Sequence, residues 1–172
     1  MEVPPRLELT VNRAPWRVVG RLMERMASAA ALGASTMFVS VVLGLRGSPL
    51  FSPDTKDNHP RILFPLYYTF EFWLLGIGLA GGLLARWASS PEVSNAGGKK
   101  RRLSSTVWLA VALVLLGADY LWLFRPLAEM LGHPPYPDRF RQLHEWSRSV
   151  NTAVLLMTAI GSLHAMWPKS DN

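Results

Sequence analysis

Four long apolar stretches run along the chain, separated by polar segments that hold nearly all of the charge. They cover residues 26–45, 62–85, 104–124 and 149–167. At a rise of about 1.5 Å per residue, each stretch forms roughly 30 Å of helix, which matches the thickness of the hydrocarbon core of a bilayer. The pattern predicts an all-α integral membrane protein, built as a four-transmembrane-helix bundle over residues 26–167.

The segment before the first stretch has a different pattern. Four arginines at a spacing of four residues form one basic stripe on a helix, with Trp16, Val19 and Leu22 beside it. This arrangement predicts a short N-terminal interfacial amphipathic helix that binds anionic lipid headgroups; a helix that binds a protein partner is the alternative. The arginines concerned are Arg13, Arg17, Arg21 and Arg25.

The charge distribution predicts the orientation in the membrane. The chain has 172 residues, of which 17% are charged, and its pI is about 10.2. Segments 1–25, 86–103 and 168–172 together hold eleven Lys and Arg, whereas the other two connections hold seven. Because cytoplasmic loops are rich in Lys and Arg, both termini should be cytoplasmic, in a plasma or inner membrane. The basic pI then reflects topology, and a soluble nucleic-acid-binding protein is excluded.

Two carboxylates interrupt the apolar stretches, Glu71 in the second and Asp119 in the third. A carboxylate at the centre of a transmembrane helix costs about 2.5–3.5 kcal/mol on insertion scales, so each should face the bundle interior or a partner. In the predicted topology both lie in the outer half of the bilayer.

The fourth helix contributes further polar side chains to the same depth. His144, Ser147 and Asn151 follow each other at spacings of three and four residues, which places them on one helix face. We therefore expect an intramembrane polar cluster, with Arg125 or Arg148 as a possible counter-charge. The predicted members are Glu71, Asp119, His144, Ser147 and Asn151.

Catalytic and metal-binding motifs are not found in the sequence. There is no cysteine, and His144-Glu145 does not continue into a zinc-protease helix because Arg148 occupies the position of the second histidine. No nucleophile elbow, phosphate loop or dinucleotide fingerprint occurs. We expect no enzyme activity, no cofactor and no metal site.

Three short motifs resemble the transmembrane protein 205-like family, a four-helix membrane domain with no established chemistry. They are Phe38-Val39-Ser40, Leu63-Phe64-Pro65-x-Tyr67 and Phe140-x-x-x-His144-x-x-Ser147-x-x-x-Asn151. The family also carries Asn-x-x-Trp-Leu-x-Pro at the end of its third helix. Here that element has Asp119 in place of Asn and one extra residue before Pro126. The resemblance draws attention to Phe64, Pro65, His144, Ser147 and Asn151, and implies no reaction.

Two functions remain open at this point. The first is a structural or accessory subunit whose polar cluster organises the bundle or docks a membrane protein partner or lipid. The alternative is a small transporter or channel-like protein with Glu71 and Asp119 in the path. One four-helix bundle has little room for a pore, so the alternative needs a homo-oligomer, for which Gly78-x-x-x-Gly82 is a candidate contact.

Overall fold

The computed structural model describes residues 13–89, 105–131 and 135–167. The N-terminal residues 1–12, the basic cluster at 99–102 and the tail at 168–172, whose charges entered the predicted orientation, lie outside these ranges.

The described residues form helices and short connections, without strands. Four helical units are long and apolar enough to cross a membrane, which confirms the predicted all-α four-helix fold. The third unit, Ser105–Met130, is continuous but changes its helix type along its length. The elements are α1 (Ala14–Gly47), α2 (Pro53–Trp87), α3 (Ser105–Ala118), a π-helical segment (Asp119–Phe124), α4 (Arg125–Met130) and α5 (Asp138–Met166).

The four units pack as a ring in which each contacts its two neighbours: α1 lies against α2 and α5, and α3 lies against the same two helices. The start of α1 lies beside the end of α5, because Arg25 Nε donates a hydrogen bond to the Ala165 carbonyl oxygen at 2.8 Å. Both ends of the described chain therefore lie at one end of the bundle, which we call the terminal end and define by Arg25 and Ala165.

The N-terminal basic segment is the beginning of the first span. Helix α1 runs from Ala14 to Gly47 without interruption, so the described part of the arginine stripe belongs to the first span and does not form a separate interfacial helix. The physical reason is packing: Gly20 and Glu24 are buried against neighbouring helices. This fixes the direction of the segment along the bundle.

Glycines allow α1 and α2 to approach until their backbones touch. A Cβ on Gly20 would lie 2.6 Å from the Gly81 carbonyl oxygen, and one on Gly81 would lie 2.7 Å from the Glu24 nitrogen. Gly78 and Gly82 also face inwards, where a Cβ on Gly82 would lie 2.6 Å from Thr106 Oγ1. The predicted oligomer contact through Gly78 and Gly82 is therefore wrong, because both glycines are used within the chain.

Helix α2 begins nine residues earlier than its apolar stretch. Ser52 caps it by accepting a hydrogen bond from the Thr55 nitrogen at 3.2 Å, and Pro53 occupies the first turn. Pro60 and Pro65 both lie inside the helix. Pro65, near the start of the apolar stretch, therefore lies well inside the helix rather than in its first turn, because the cap and Pro53 start the helix before the apolar pattern does.

The chain stays helical beyond the end of the third apolar stretch. It forms π-helical turns over Asp119–Phe124 and then α4. Pro126 accounts for the change, because it has no N–H to donate and its ring crowds the carbonyl four residues before it. The Arg125 nitrogen bonds to the Tyr120 oxygen, a five-residue step typical of a π-helix.

Candidate functional site

Glu71 is enclosed between α1 and α2. Its side chain has no exposed surface, and Ser35 of α1 donates a hydrogen bond to its Oε1 atom. The other oxygen, Oε2, is buried and has no hydrogen-bond partner among the described residues. A buried carboxyl with one unsatisfied oxygen is costly, so this arrangement calls for an explanation beyond packing.

Asp119 lies across the bundle and connects three of the four units. Tyr68 of α2 donates its hydroxyl hydrogen to Asp119 Oδ2, and Asn151 Nδ2 of α5 donates to the same oxygen at 2.6 Å. Asn151 Nδ2 also lies 3.0 Å from the Ser147 carbonyl oxygen. As at Glu71, one carboxyl oxygen is left over: Asp119 Oδ1 is buried and has no partner in the described part of the chain.

The two carboxyl groups belong to one region because Tyr68 and Glu71 lie one helical turn apart on α2, and both are buried. Together, the hydrogen bonds join all four spans. We call this group the carboxylate network and define it by Ser35, Tyr68, Glu71, Asp119, Ser147 and Asn151.

Aromatic rings pack beside the carboxylate network. Phe38 stacks on Tyr67 with centroids 4.1 Å apart and meets Phe64 edge-on at 5.1 Å. Tyr68 and Phe124 are 4.9 Å apart. These rings restrict access of water, which strengthens the hydrogen bonds inside and increases the cost of any unpaired polar atom.

Four of the five predicted cluster members lie in the network: Glu71, Asp119, Ser147 and Asn151. The prediction for His144 was wrong. This side chain is exposed and lies parallel to the Phe140 ring, with centroids 6.2 Å apart. The cause is the rotation of α5, because its inward face at this level holds Leu143 and Ser147, and His144 lies beside that face.

The predicted counter-charges were also misplaced. Arg125 and Arg148 are exposed, and neither bonds to Glu71 or Asp119. The two carboxyl groups are instead held by neutral hydroxyl and amide donors. Each carboxyl therefore lies in the bundle without an ion pair among the described side chains.

Sequence analysis did not identify Ser35 and Tyr68. Both are single polar groups inside long apolar stretches, where a small or aromatic residue normally serves helix packing. The spacing of Tyr68, one turn before Glu71, was the one available signal.

A third buried carboxylate, Glu24, was also missed because it lies among arginines. Its Oε1 atom accepts hydrogen bonds from Ser105 at 2.6 Å and from Thr106 at 3.1 Å. Only 8% of its surface is exposed. Glu24 therefore joins the starts of α1 and α3 at the terminal end of the bundle.

The four arginines predicted to bind headgroups have different surroundings. Arg13 lies over the Trp87 ring at 5.0 Å, and Arg25 is bonded to the end of α5. Arg17 and Arg21 are exposed. The motif positions Phe64 and Pro65 also differ: Phe64 packs among rings, whereas Pro65 is exposed and its carbonyl oxygen accepts from Thr69 Oγ1 at 2.8 Å.

The chemistry available at the network is limited to holding helices together and to exchanging protons. It contains carboxyl, hydroxyl and amide groups. Across the described ranges, no three His, Asp or Glu side chains come together as a metal site would require. Comparison with protein-family models, curated proteins and solved structures found no match for this chain.

Proposed function

We propose that this chain is a non-catalytic membrane protein that serves as a structural or accessory subunit, with the carboxylate network as its internal clamp. The observation that carries the proposal is that hydrogen bonds around two fully buried carboxyl groups join all four spans. Both termini are cytoplasmic in this proposal, and the host is a plasma or inner membrane.

The physical argument concerns what holds helices together in lipid. Lipid tails are as apolar as leucine side chains, so burial alone provides little attraction between helices, and hydrogen bonds and close packing take over that task. The carboxylate network supplies interhelical bonds to every span. Its members are turned inwards, so a partner would meet the lipid-facing surface rather than the network.

That outer surface offers room for a membrane protein partner or a second copy. One face of α2 carries large exposed side chains at helical spacing, namely Leu66, Phe70 and Trp73. Such a surface suits either lipid or another apolar helix. The proposed partner is therefore a membrane-embedded protein, and the proposal includes no nucleic-acid partner.

Membership of the transmembrane protein 205-like family is part of the same proposal. Its support comes from the packing of motif residues, since the Phe38 ring contacts the rings of both Phe64 and Tyr67. The extra residue before Pro126 falls in the π-helical segment, and a π turn holds one residue more than an α turn.

A proton-coupled transporter is the second candidate, and one observation favours it. Glu71 Oε2 and Asp119 Oδ1 are both buried without a partner among the described residues. Two carboxyl groups without ion pairs, at adjacent levels of one bundle, are typical of sites that take up and release protons. This function would need a homo-oligomer or a partner to complete a path.

The decisive experiment measures stability and flux on the same proteins. Wild type, Glu71→Gln and Asp119→Asn are purified, their thermal stability is measured in detergent, and proton flux is measured in proteoliposomes under a pH gradient. For the structural function we expect no flux above empty liposomes from any of the three. Flux in wild type that vanishes in a stably folded Glu71→Gln variant would establish the transporter instead.

The orientation is tested by labelling intact cells with an impermeant thiol reagent, since the chain has no native cysteine. A cysteine at Asn58 or Tyr136 should be labelled, whereas one at Ser94 should be protected until the membrane is permeabilised. The reverse pattern would invert the proposed topology.

A further inference from the structure

A groove of about 520 Å³ lies between α1 and α5, on the outside of the bundle. Its α1 side runs from Ala29 to Ser40, and its α5 side includes Ser162 and Met166. From these positions and the basic residues near them we propose that the groove binds an anionic phospholipid, with one acyl chain in the groove and the headgroup at Arg25.

The length of the groove fits one acyl chain. Eleven helical steps from Ala29 to Ser40 correspond to about 16 Å. This is close to half of the roughly 30 Å hydrocarbon core, the depth that one leaflet provides. An acyl chain that starts at the terminal end would therefore fill the groove along the whole length of the groove.

The hydroxyl groups in the groove are already bonded within the protein. Thr36 Oγ1 donates to the Leu32 carbonyl oxygen at 2.8 Å, and Ser40 Oγ donates to that of Thr36 at 2.9 Å. Ser162 Oγ donates across to the Ser28 carbonyl oxygen, also at 2.9 Å. Because these hydroxyls have their bonds, the groove is suited to a hydrocarbon chain rather than to a polar ligand.

The width of the groove comes from Gly33. A Cβ added to Gly33 would have no heavy atom within 4 Å, so the space in front of it is open. In contrast, Gly20 and Gly81 have no such space, because they are in contact with each other's helix. Gly33 is therefore an unpacked glycine beside the line along which the acyl chain would lie.

Arg25 lies one helical turn before Ala29 and marks the headgroup end. Its Nε is held by the Ala165 carbonyl oxygen, next to the groove residue Met166, while the side chain remains exposed. A guanidinium has four further N–H donors, in a geometry that suits a phosphate. Arg21 and Arg17 are also exposed at this end. The Glu24 carboxylate accepts hydrogen bonds from Ser105 and Thr106. The charge at this end therefore complements an anionic headgroup.

The inference is independent of the proposed function, because either a subunit or a transporter could hold such a lipid. It is tested by native mass spectrometry of protein taken from micelles with equal amounts of phosphatidylglycerol and phosphatidylcholine that have the same acyl chains. One arginine near the surface contributes about 1 kcal/mol toward an anionic lipid, so we expect about fivefold more phosphatidylglycerol than phosphatidylcholine on wild type.

Two variants separate the parts of the site. Gly33→Leu fills the groove without a clash and should reduce retention of both lipids, whereas Arg25→Gln should keep the retention and cause the largest loss of the preference for phosphatidylglycerol. Because Arg25→Gln also removes the bond to Ala165, Arg21→Gln and Arg25→Lys are measured as well; we expect a partial loss of the preference in the first and its retention in the second.

Gly44→Leu and Arg148→Gln are the matched controls. Gly44 is equally open but lies outside the groove. Arg148→Gln removes the same charge from an exposed position in the first half of α5, away from Ala165. Both should behave as wild type. Equal retention of the two lipids by wild type, or unchanged retention by Gly33→Leu, would overturn the proposal. So would equally strong binding of glycerol 3-phosphate alone, or dimers that Gly33→Leu abolishes while lipid retention stays the same.

Discussion

The two halves of the α1–α2 pair are held together in different ways. In the half near the terminal end, the residues are small and the backbones touch, with Gly20 against Gly81. In the other half, the two helices are bridged by large rings and by a buried carboxyl group, through the stack of Phe38 on Tyr67 and the bond from Ser35 to Glu71. We call these the glycine half and the carboxylate half.

The two halves use different interactions to hold the same pair of helices together. Apolar burial contributes little between helices in lipid, so attraction must come from close packing or from hydrogen bonds. The glycine half uses backbone contact between α1 and α2, and its buried carboxylate, Glu24, bonds to α3 rather than to α2. The carboxylate half uses polar groups and accepts the cost of placing two carboxyls in low dielectric. The glycine half should therefore respond to added volume, and the carboxylate half to lost hydrogen bonds.

The largest effect is expected for Gly81→Leu. A Cβ at this position would lie 2.7 Å from two backbone atoms of α1, which cannot move independently of their helix. We expect the free energy of unfolding to fall by about 3 kcal/mol or more, since overpacking that forces backbone shifts lies at the upper end of its range. The measurement is unfolding in mixed micelles with increasing sodium dodecyl sulfate.

Gly76→Leu is the matched control for volume. It lies on the same helix, and a Cβ there would meet no heavy atom within 4 Å. Its effect should stay within about 0.5 kcal/mol, because the added side chain enters open space without displacing a neighbour. Equal losses in the two variants would show that leucine at any glycine of α2 disturbs the helix, and the comparison of the two halves would fail.

In the carboxylate half, the largest effect is expected for Asp119→Leu. The substitution leaves the Tyr68 hydroxyl and the Asn151 amide without their acceptor, and both lie inside the bundle. We expect a loss of about 2–3 kcal/mol in the same unfolding assay, because unsatisfied buried donors keep their full desolvation penalty. Asp119→Asn, which keeps one oxygen acceptor, should lose about 1 kcal/mol or less. A smaller loss for Leu than for Asn would contradict the structural role of this residue.

The sequence was sufficient to predict the number of spans and most of the buried polar residues. Length and hydropathy determine a membrane helix directly, because every backbone polar group must be satisfied within it. Glu71 and Asp119 were recognisable because a carboxylate in a transmembrane helix must face the bundle interior or a partner. Ser147 and Asn151 followed from helical spacing.

Helix ends and hydrogen-bond partners could not be predicted in this way. Prolines normally mark the end of a helix, yet Pro60, Pro65 and Pro126 all lie inside helical structure here. Packing against neighbouring helices decides this, and it is not visible in a local pattern. His144 was expected on one face with Asn151 but lies beside the buried face of α5, which holds Leu143 and Ser147. The partners Ser35 and Tyr68 depend on how the helices are rotated, which spacing alone does not give.

The pair Ser35 and Glu71 allows a test of the carboxylate half with three variants. In Ser35→Ala, Glu71 loses the one hydrogen bond that the described structure gives its carboxyl group, and we expect a loss of about 2 kcal/mol. Glu71→Leu should lose only about 1 kcal/mol, because the Ser35 hydroxyl can turn to a carbonyl of its own helix.

The double variant Ser35→Ala/Glu71→Leu should be close to Glu71→Leu in stability, since both polar partners are then replaced by apolar groups. The stabilities are compared as a double-mutant cycle. Strictly additive losses would mean that the two side chains have no interaction energy. The Ser35–Glu71 hydrogen bond would then not stabilise the carboxylate network.

The smallest effect is expected for a change that keeps the shape of the side chain, Glu to Gln, made once in each half. Glu24 and Glu71 both accept hydrogen bonds from hydroxyl groups of neighbouring helices, but Glu24 is 8% exposed near the terminal end and Glu71 has no exposed surface. An amide oxygen keeps these bonds in both places, so only the cost of burying a carboxyl differs, and that cost is greatest at membrane depth. We therefore expect Glu24→Gln to stay within about 0.5 kcal/mol of wild type, as for other mild substitutions. Glu71→Gln should be stabilised relative to Glu24→Gln in the same unfolding assay. If Glu24→Gln were instead less stable than wild type by more than the loss seen for Ser35→Ala, Glu24 would carry a charge that the bundle needs. Close packing would then not be the main support of the glycine half.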